Sequence, residues 1–219
     1  MKRFFHSELD KLRSHLILMG EKASGALQKS IESLVEKNLD LAVQVIEEDD
    51  VIDQLEIGID RESTRYLTLR SPVASDLRLI TVAIKASHDL ERVGDEARNI
   101  AKRVRKMILK QGHIGDLLSI PEMAEKAGEM LREAFQCFIS EDPEKATEVL
   151  AKDEVVDALN KQNFKGFIKQ AKGDPELMNQ YLDLIFISKS LERIADHATN
   201  LAEEVIFLTT AREARHSGL

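Results

Sequence analysis

The chain of 219 residues has a single cysteine, no tryptophan and four prolines, and only 5% of it is aromatic. Cys137 alone cannot close a disulfide within the chain, so the fold must be held by packing, and a reducing compartment is expected. Its neighbours in AFQCFI are apolar, which predicts a buried structural thiol. Few prolines and ten glycines leave long stretches without a helix breaker. No run reaches the ~18 apolar residues that a membrane span requires. The N-terminal MKRFFHSELD lacks the apolar core of a signal peptide, and the expected location is cytoplasmic. Basic residues are also short, with 31 Lys and Arg against 39 Asp and Glu, for a net charge of −8. A nucleic-acid groove is therefore not expected. There is no P-loop, no nucleophile elbow and no Cys-His spacing for a metal site, so no nucleophilic enzyme is indicated.

Helical periodicity fills what remains. Leu9, Leu12, Leu16, Met19, Ala23, Leu27, Ile31 and Leu34 recur at spacings of three and four and predict a first helix from about Ser7 to Lys37. Asn38 is a candidate cap for a second helix, about Leu39 to Leu69. Ser71 and Pro72 suit the cap and first turn of a third, about Pro72 to Gln111, roughly 55 to 60 Å long at 1.5 Å per residue. QGHIGD, Gln111 to Asp116, is a Gly-rich linker. Further helices are predicted from Pro121 to Ser140, from Pro143 to Lys172 with Asp142 as cap, and from Pro175 to Thr210, with a fraying tail. Period-two alternation and Asn-Gly turns are missing. The expectation is an all-α chain of six helices in two three-helix bundles, residues 1–112 and 113–219.

The halves are related. LERVGDEARNIA (Leu90–Ala101) and LERIADHATNLA (Leu191–Ala202) share seven of twelve positions, the mark of an internal duplication. Glu91 and Asp95 recur as Glu192 and Asp196, each pair one helical turn apart. DDVID on the second helix matches DEVVD on the fifth, so Asp49 and Asp53 recur as Asp153 and Asp157. Antiparallel packing could gather four carboxylates in each half. Such a cluster is either partly protonated or neutralised by cations, and oxygen donors suit hard metal ions such as Mg, Mn or oxidised Fe. The pairs lie off the apolar arc, which places the site in a groove or at the surface. A plainer reading of any one pair is a solvated face with Arg92 or Arg193 as partner. A ferritin-like di-iron core would need Glu-x-x-His, missing from the third and sixth helices. His197 follows Asp196 where the first half has Glu96, so it could add a ligand in one half only, or serve at the surface. Lys102, Arg103, Arg105, Lys106 and Lys110 crowd the end of the third helix, where they suit its dipole or form a basic docking patch.

With EEDDVIDQLE (Glu47–Glu56), SPVASDLR (Ser71–Arg78), DLERVGDEARNIA (Asp89–Ala101) and SLERIADHATNLAEE (Ser190–Glu204) in this order, the chain resembles the PhoU family of phosphate-transport accessory proteins over nearly its full length. The resemblance implies two similar three-helix bundles in a cytoplasmic, usually dimeric protein. It implies multinuclear metal clusters, iron before manganese or magnesium, held by E(D)-x-x-x-D pairs: here Asp49, Asp53, Glu91 and Asp95, then Asp153, Asp157, Glu192 and Asp196. It implies negative regulation of phosphate uptake and of the phosphate-starvation response. The partners would be the ATPase subunit of the phosphate ABC transporter and a sensor histidine kinase. Lys152 and Asn160 stand where the first half has Glu48 and Glu56, so fewer or weaker metals are expected in the second half. Two alternatives stay open: a carboxylate-bridged metal hydrolase and a purely structural bundle.

Overall fold

The structure is a computed structural model and describes residues 6–111 and 114–212; the boundary expected at 112/113 and most of the tail lie outside these. The described residues form α1 (His6–Val35), α2 (Leu39–Leu69), α3 (Ala74–Gln111), α4 (Ile120–Ser140), α5 (Pro143–Leu150), α6 (Asp153–Gly173) and α7 (Met178–Thr210), with one 3-10 turn at Pro175–Leu177. There is no strand among them, and no helix is long and apolar enough to cross a membrane.

The stripe on α1 is the core stripe: Leu12, Leu16, Met19, Ala23, Leu27 and Leu34 are buried. Asn38 caps α2 by accepting from the Leu41 amide at 3.2 Å, and Asp142 caps α5 by accepting from Lys145 at 3.1 Å. Cys137 is buried, and burial pushes its thiol pKa up.

Two boundaries differ from expectation. α3 starts at Ala74, two residues beyond Pro72. Arg70 is already extended (φ −125°, ψ 155°), and proline biases the residue before it towards extended backbone, so 70–73 is a link and the Val73 carbonyl accepts from Leu77 at 2.9 Å. The expected fifth helix is cut at Ala151–Lys152 into α5 and α6. Lys152 turns out to ion-pair with Glu133 on α4, and Asp153 becomes the first residue of α6.

α1, α2 and α3 pack together, as do α4, α6 and α7, with α5 against α4 and α7. The two triplets meet through α3 against α7 and α1 against α4. Four helices therefore form an inner layer, α2 flanks one side, and α5 and α6 flank the other. One continuous apolar core runs through both halves. At the α1–α4 contact, Gly20 lies under Phe135: a Cβ there would fall 2.5 Å from the ring.

The polar contacts between the halves also run from α3 to α7. Arg193 donates to Glu96 at 2.9 Å, Lys85 to Glu204 at 2.9 Å, and Arg103 and Lys106 reach the buried Asp183 at 3.0 and 2.8 Å. Part of the basic cluster at the end of α3 is thus an internal clasp; Lys102 and Arg105 remain exposed.

Candidate metal centre

Antiparallel helices place residues in rungs across their interface, and α2 and α3 do so through a close approach at Gly94. A Cβ on Gly94 would lie 2.9 Å from Ile52 Cδ1 and 3.6 Å from Asp49 Oδ1. Asp49 is only 5% exposed. Arg98 bridges the gap, one Nη donating to Asp49 and the other to Asp95. Arg92 reaches Asp95 at 3.2 Å and Glu91 at 3.3 Å. Asp53 is half-buried between Asp49 and Glu91, raising the pKa of both. The two acidic pairs therefore face each other across the α2–α3 interface, but among the described residues no three of the four bring ligand atoms within reach of a single ion.

Burial is the main cause that lifts the Asp49 carboxyl above its usual range; Arg98 opposes it, and Asp53 and Asp95 reinforce it. Glu91 is lifted chiefly by burial, then by Asp95, with Arg92 opposing and Glu56 and Asp53 adding to the rise. The next rung is Glu56 with His88, Nδ1 to Oε1 at 3.4 Å. Glu56, His88 and Glu91 offer ligand atoms that all lie within 4.8 Å of one another. Glu56 sits near the apolar arc of α2, an odd place for an unpaired charge. His88 gives no signal alone, because its partner comes from another helix. Glu48 turns away to Lys29 at 2.7 Å, and that hydrogen bond lowers its pKa.

α6 and α7 repeat the ladder with different neighbours. Asp153 is raised by burial, then by Asp196, Asp157 and Glu192. Asp196, although it reaches solvent, is raised by burial and by Glu192, with Lys189 and His197 opposing and Asp157 adding. These carboxylates are near enough to act on one another's charge, but among the described residues no three of them bring ligand atoms within reach of a single ion. The counterpart of Arg98 is Thr199, and no arginine enters. Lys161 pairs with Asp157 at 3.2 Å and Lys189 with Glu192; Asp153 and Asp196 make no ion pair among the described residues. Asn160, which accepts from Ser188 at 2.9 Å, and Lys189 replace the Glu56–His88 rung.

The plainer reading of the arginines holds in one half. Arg92 sits on its acidic pair, whereas Arg193 crosses to Glu96. His197 Nδ1 lies 2.8 Å from Asp89 Oδ1, which also accepts from Asn200 at 3.0 Å, so it ties α7 to the other half.

The donor set is all oxygen in the second half, and oxygen with one imidazole at its edge in the first. Both suit hard cations, which would relieve the repulsion. In the first half, Arg98 already occupies the space between Asp49 and Asp95 as an internal counter-ion. In the second, neither Asp153 nor Asp196 makes an ion pair among the described residues, and only Asp196 has cations, Lys189 and His197, opposing its rise.

An all-α chain of two similar three-helix units, each with a carboxylate ladder on its last two helices, defines a narrow class. The model of the PhoU domain matches residues 16–104 and again 120–205, and the chain belongs to the PhoU family. It is 36% identical over 215 residues to the phosphate-specific transport system accessory protein PhoU homolog of Pseudomonas aeruginosa, covering 98% of this chain and 89% of that protein. The homolog of that name in Aquifex aeolicus is 36% identical over 216 residues, covering 99% and 96%. Among solved structures, PhoU from Pseudomonas aeruginosa superposes with a TM-score of 0.91 at 36% identity, covering 95% of this chain and all of that one. The phosphate transport system regulatory protein PhoU from Streptococcus pneumoniae gives 0.87 at 28% identity, covering 95% and 98%.

Proposed function

We propose that this chain is a non-catalytic regulator of phosphate transport, a rigid helical adaptor whose carboxylate ladders bind metal ions. The observations that support the metal reading are the acidic pairs that repeat across α2–α3 and α6–α7 and, beside the first of them, the Glu56, His88 and Glu91 group, whose ligand atoms lie within 4.8 Å of one another. Full-length similarity to proteins named as accessory to the phosphate-specific transport system carries the regulatory one.

In this reading Asp153, Asp157, Glu192 and Asp196 hold cations in one half, and Asp49, Asp53, Glu91 and Asp95 hold them in the other. Glu56 and His88 are at hand as further donors. Bound metal supplies positive charge that fixes the carboxylate faces. Arg98 pairs with Asp49 and Asp95 and must swing aside before a cation sits between them. The chain acts in the cytoplasm as a homodimer, on the ATPase subunit of the phosphate ABC transporter and on a sensor histidine kinase, and it represses uptake and the starvation response.

Protein purified without chelator should carry iron, manganese or magnesium by elemental analysis. Asp153→Asn with Asp196→Asn should remove the metal of the second half. Retention of only background metal by the parent chain would refute metal binding. Co-purification with the transporter ATPase tests the adaptor role separately. Metal-dependent hydrolysis of a phosphate ester, lost on Asp95→Ala, would favour the hydrolase alternative.

A further inference from the structure

Next to the second ladder, α6 and α7 part to form an apolar groove of about 380 Å³. Phe164 and Phe186 form its walls, 53% and 50% exposed, in a chain with only eight phenylalanines. Ile185 lines it too, and Leu182, one turn before Phe186, is exposed as well. Cations rim the groove. Lys161 and Lys165 stand on α6 and Lys189 on α7, while the Arg103 guanidinium lies over Phe186, 4.2 Å from the ring centroid. Lys165 makes no ion pair among the described residues. The other three are shared with carboxylates behind the rim, Lys161 with Asp157, Lys189 with Glu192 and Arg103 with Asp183.

Two aromatic rings lining a concave slot are what an apolar anchor fills, and partly covered aromatics ringed by polar groups carry much of an interface's energy. Cations along the edges select carboxylates flanking that anchor. A helix laid in such a groove presents anchors at i, i+4 and i+7. A bilayer is contacted by protruding apolar groups, not by a slot. A nucleic acid would meet Asp157 and Glu192 beside the lysines, with no continuous basic track.

We propose that the α6–α7 groove docks an amphipathic helical segment of a partner protein, apolar on one face and acidic along its edges. This goes beyond the regulatory reading and is tested with no metal present.

The probe is a fluorescently labelled peptide of about 18 residues, five helical turns, with leucine at i, i+4, i+7 and i+11 and glutamate flanking them. It is titrated with the full chain in chelator. Phe186→Ser, Phe164→Ser and the charge reversal Lys161→Glu with Lys165→Glu should each weaken binding about tenfold, with helical circular dichroism unchanged. A peptide carrying lysine in place of glutamate should prefer the charge-reversed chain over the parent, which a merely structural role for these lysines would not produce. Any variant that loses helicity is set aside, and the exposed lysine pair then carries the test. Affinities within about twofold of the parent in every folded variant would overturn the proposal. So would binding to phosphatidylglycerol vesicles that these substitutions abolish, in place of peptide binding. A fall in oligomeric state by sedimentation on Phe186→Ser would assign the groove to a second copy instead. The titration is run in chelator and without the transporter, so the two readings fail separately.

Discussion

Asp153 and Asp196 are the residues whose charge is least compensated. Burial raises both carboxyls above the ordinary value of 3.8; Asp196, Asp157 and Glu192 add to the rise of Asp153, and Glu192 and Asp157 to that of Asp196, where Lys189 and His197 oppose it. A group raised in the folded state disfavours folding once ionised: its penalty is absent below the unfolded pKa and grows as pH rises through the folded one. In chelator at pH 7, Asp153→Asn should therefore raise the melting temperature by about 2–4 °C, the shift that about 1 kcal/mol gives at this chain length. The gain should fade as the pH falls towards 3.8, and thermal melts along a pH series check it. Arg98 makes the opposite case. Arg98→Ala leaves the buried Asp49 without its cation and should cost about 2–3 kcal/mol, seen as a melt lowered by about 5–10 °C. Millimolar manganese should restore part of it if cations enter this ladder. The eight acids were legible because they repeat in register. Arg98, three residues after Asp95 and seven after Glu91, shares their face, but only the packed pair of helices shows that it reaches across to Asp49. Glu56 and His88 were hidden because their meeting depends on which turns of α2 and α3 face each other.

Helix stripes, caps and order were readable from the spacing of apolar residues and from Asn38 and Asp142. The break between α5 and α6 was not, because Ala151 and Lys152 are good helix formers and the interruption depends on where α4 and α7 lie. Close packing between helices was also beyond the sequence, since a glycine within a helical pattern does not name its neighbour. Gly20 is such a case. Alanine there brings its methyl into the buried Phe135 ring, which is stacked on Phe138 at 6.3 Å between centroids. Gly20→Ala should gain helix propensity yet lose about 1–3 kcal/mol net through overpacking. Urea titration checks this, with Gly25→Ala as control, because nothing lies within 4 Å of a Cβ at Gly25.

The duplication suggests two separable units, but the packed molecule has one core, and α3 lies along α7 through both apolar and ionic contacts. Unfolding should therefore be a single cooperative transition, with calorimetric and van't Hoff enthalpies equal; two resolved transitions would show that the repeats melt independently. Lys161 and Lys189 give this joined body a further property, because each has two claimants. Their ammonium groups are held by Asp157 and Glu192 on one side, and they border the aromatic slot on the other. A divalent ion arriving at those carboxylates would evict the two lysines and hand their charge to whatever acidic segment lies in the slot. Linkage is reciprocal, so a ligand that captures the lysines would in turn make the carboxylates cheaper for the ion to claim.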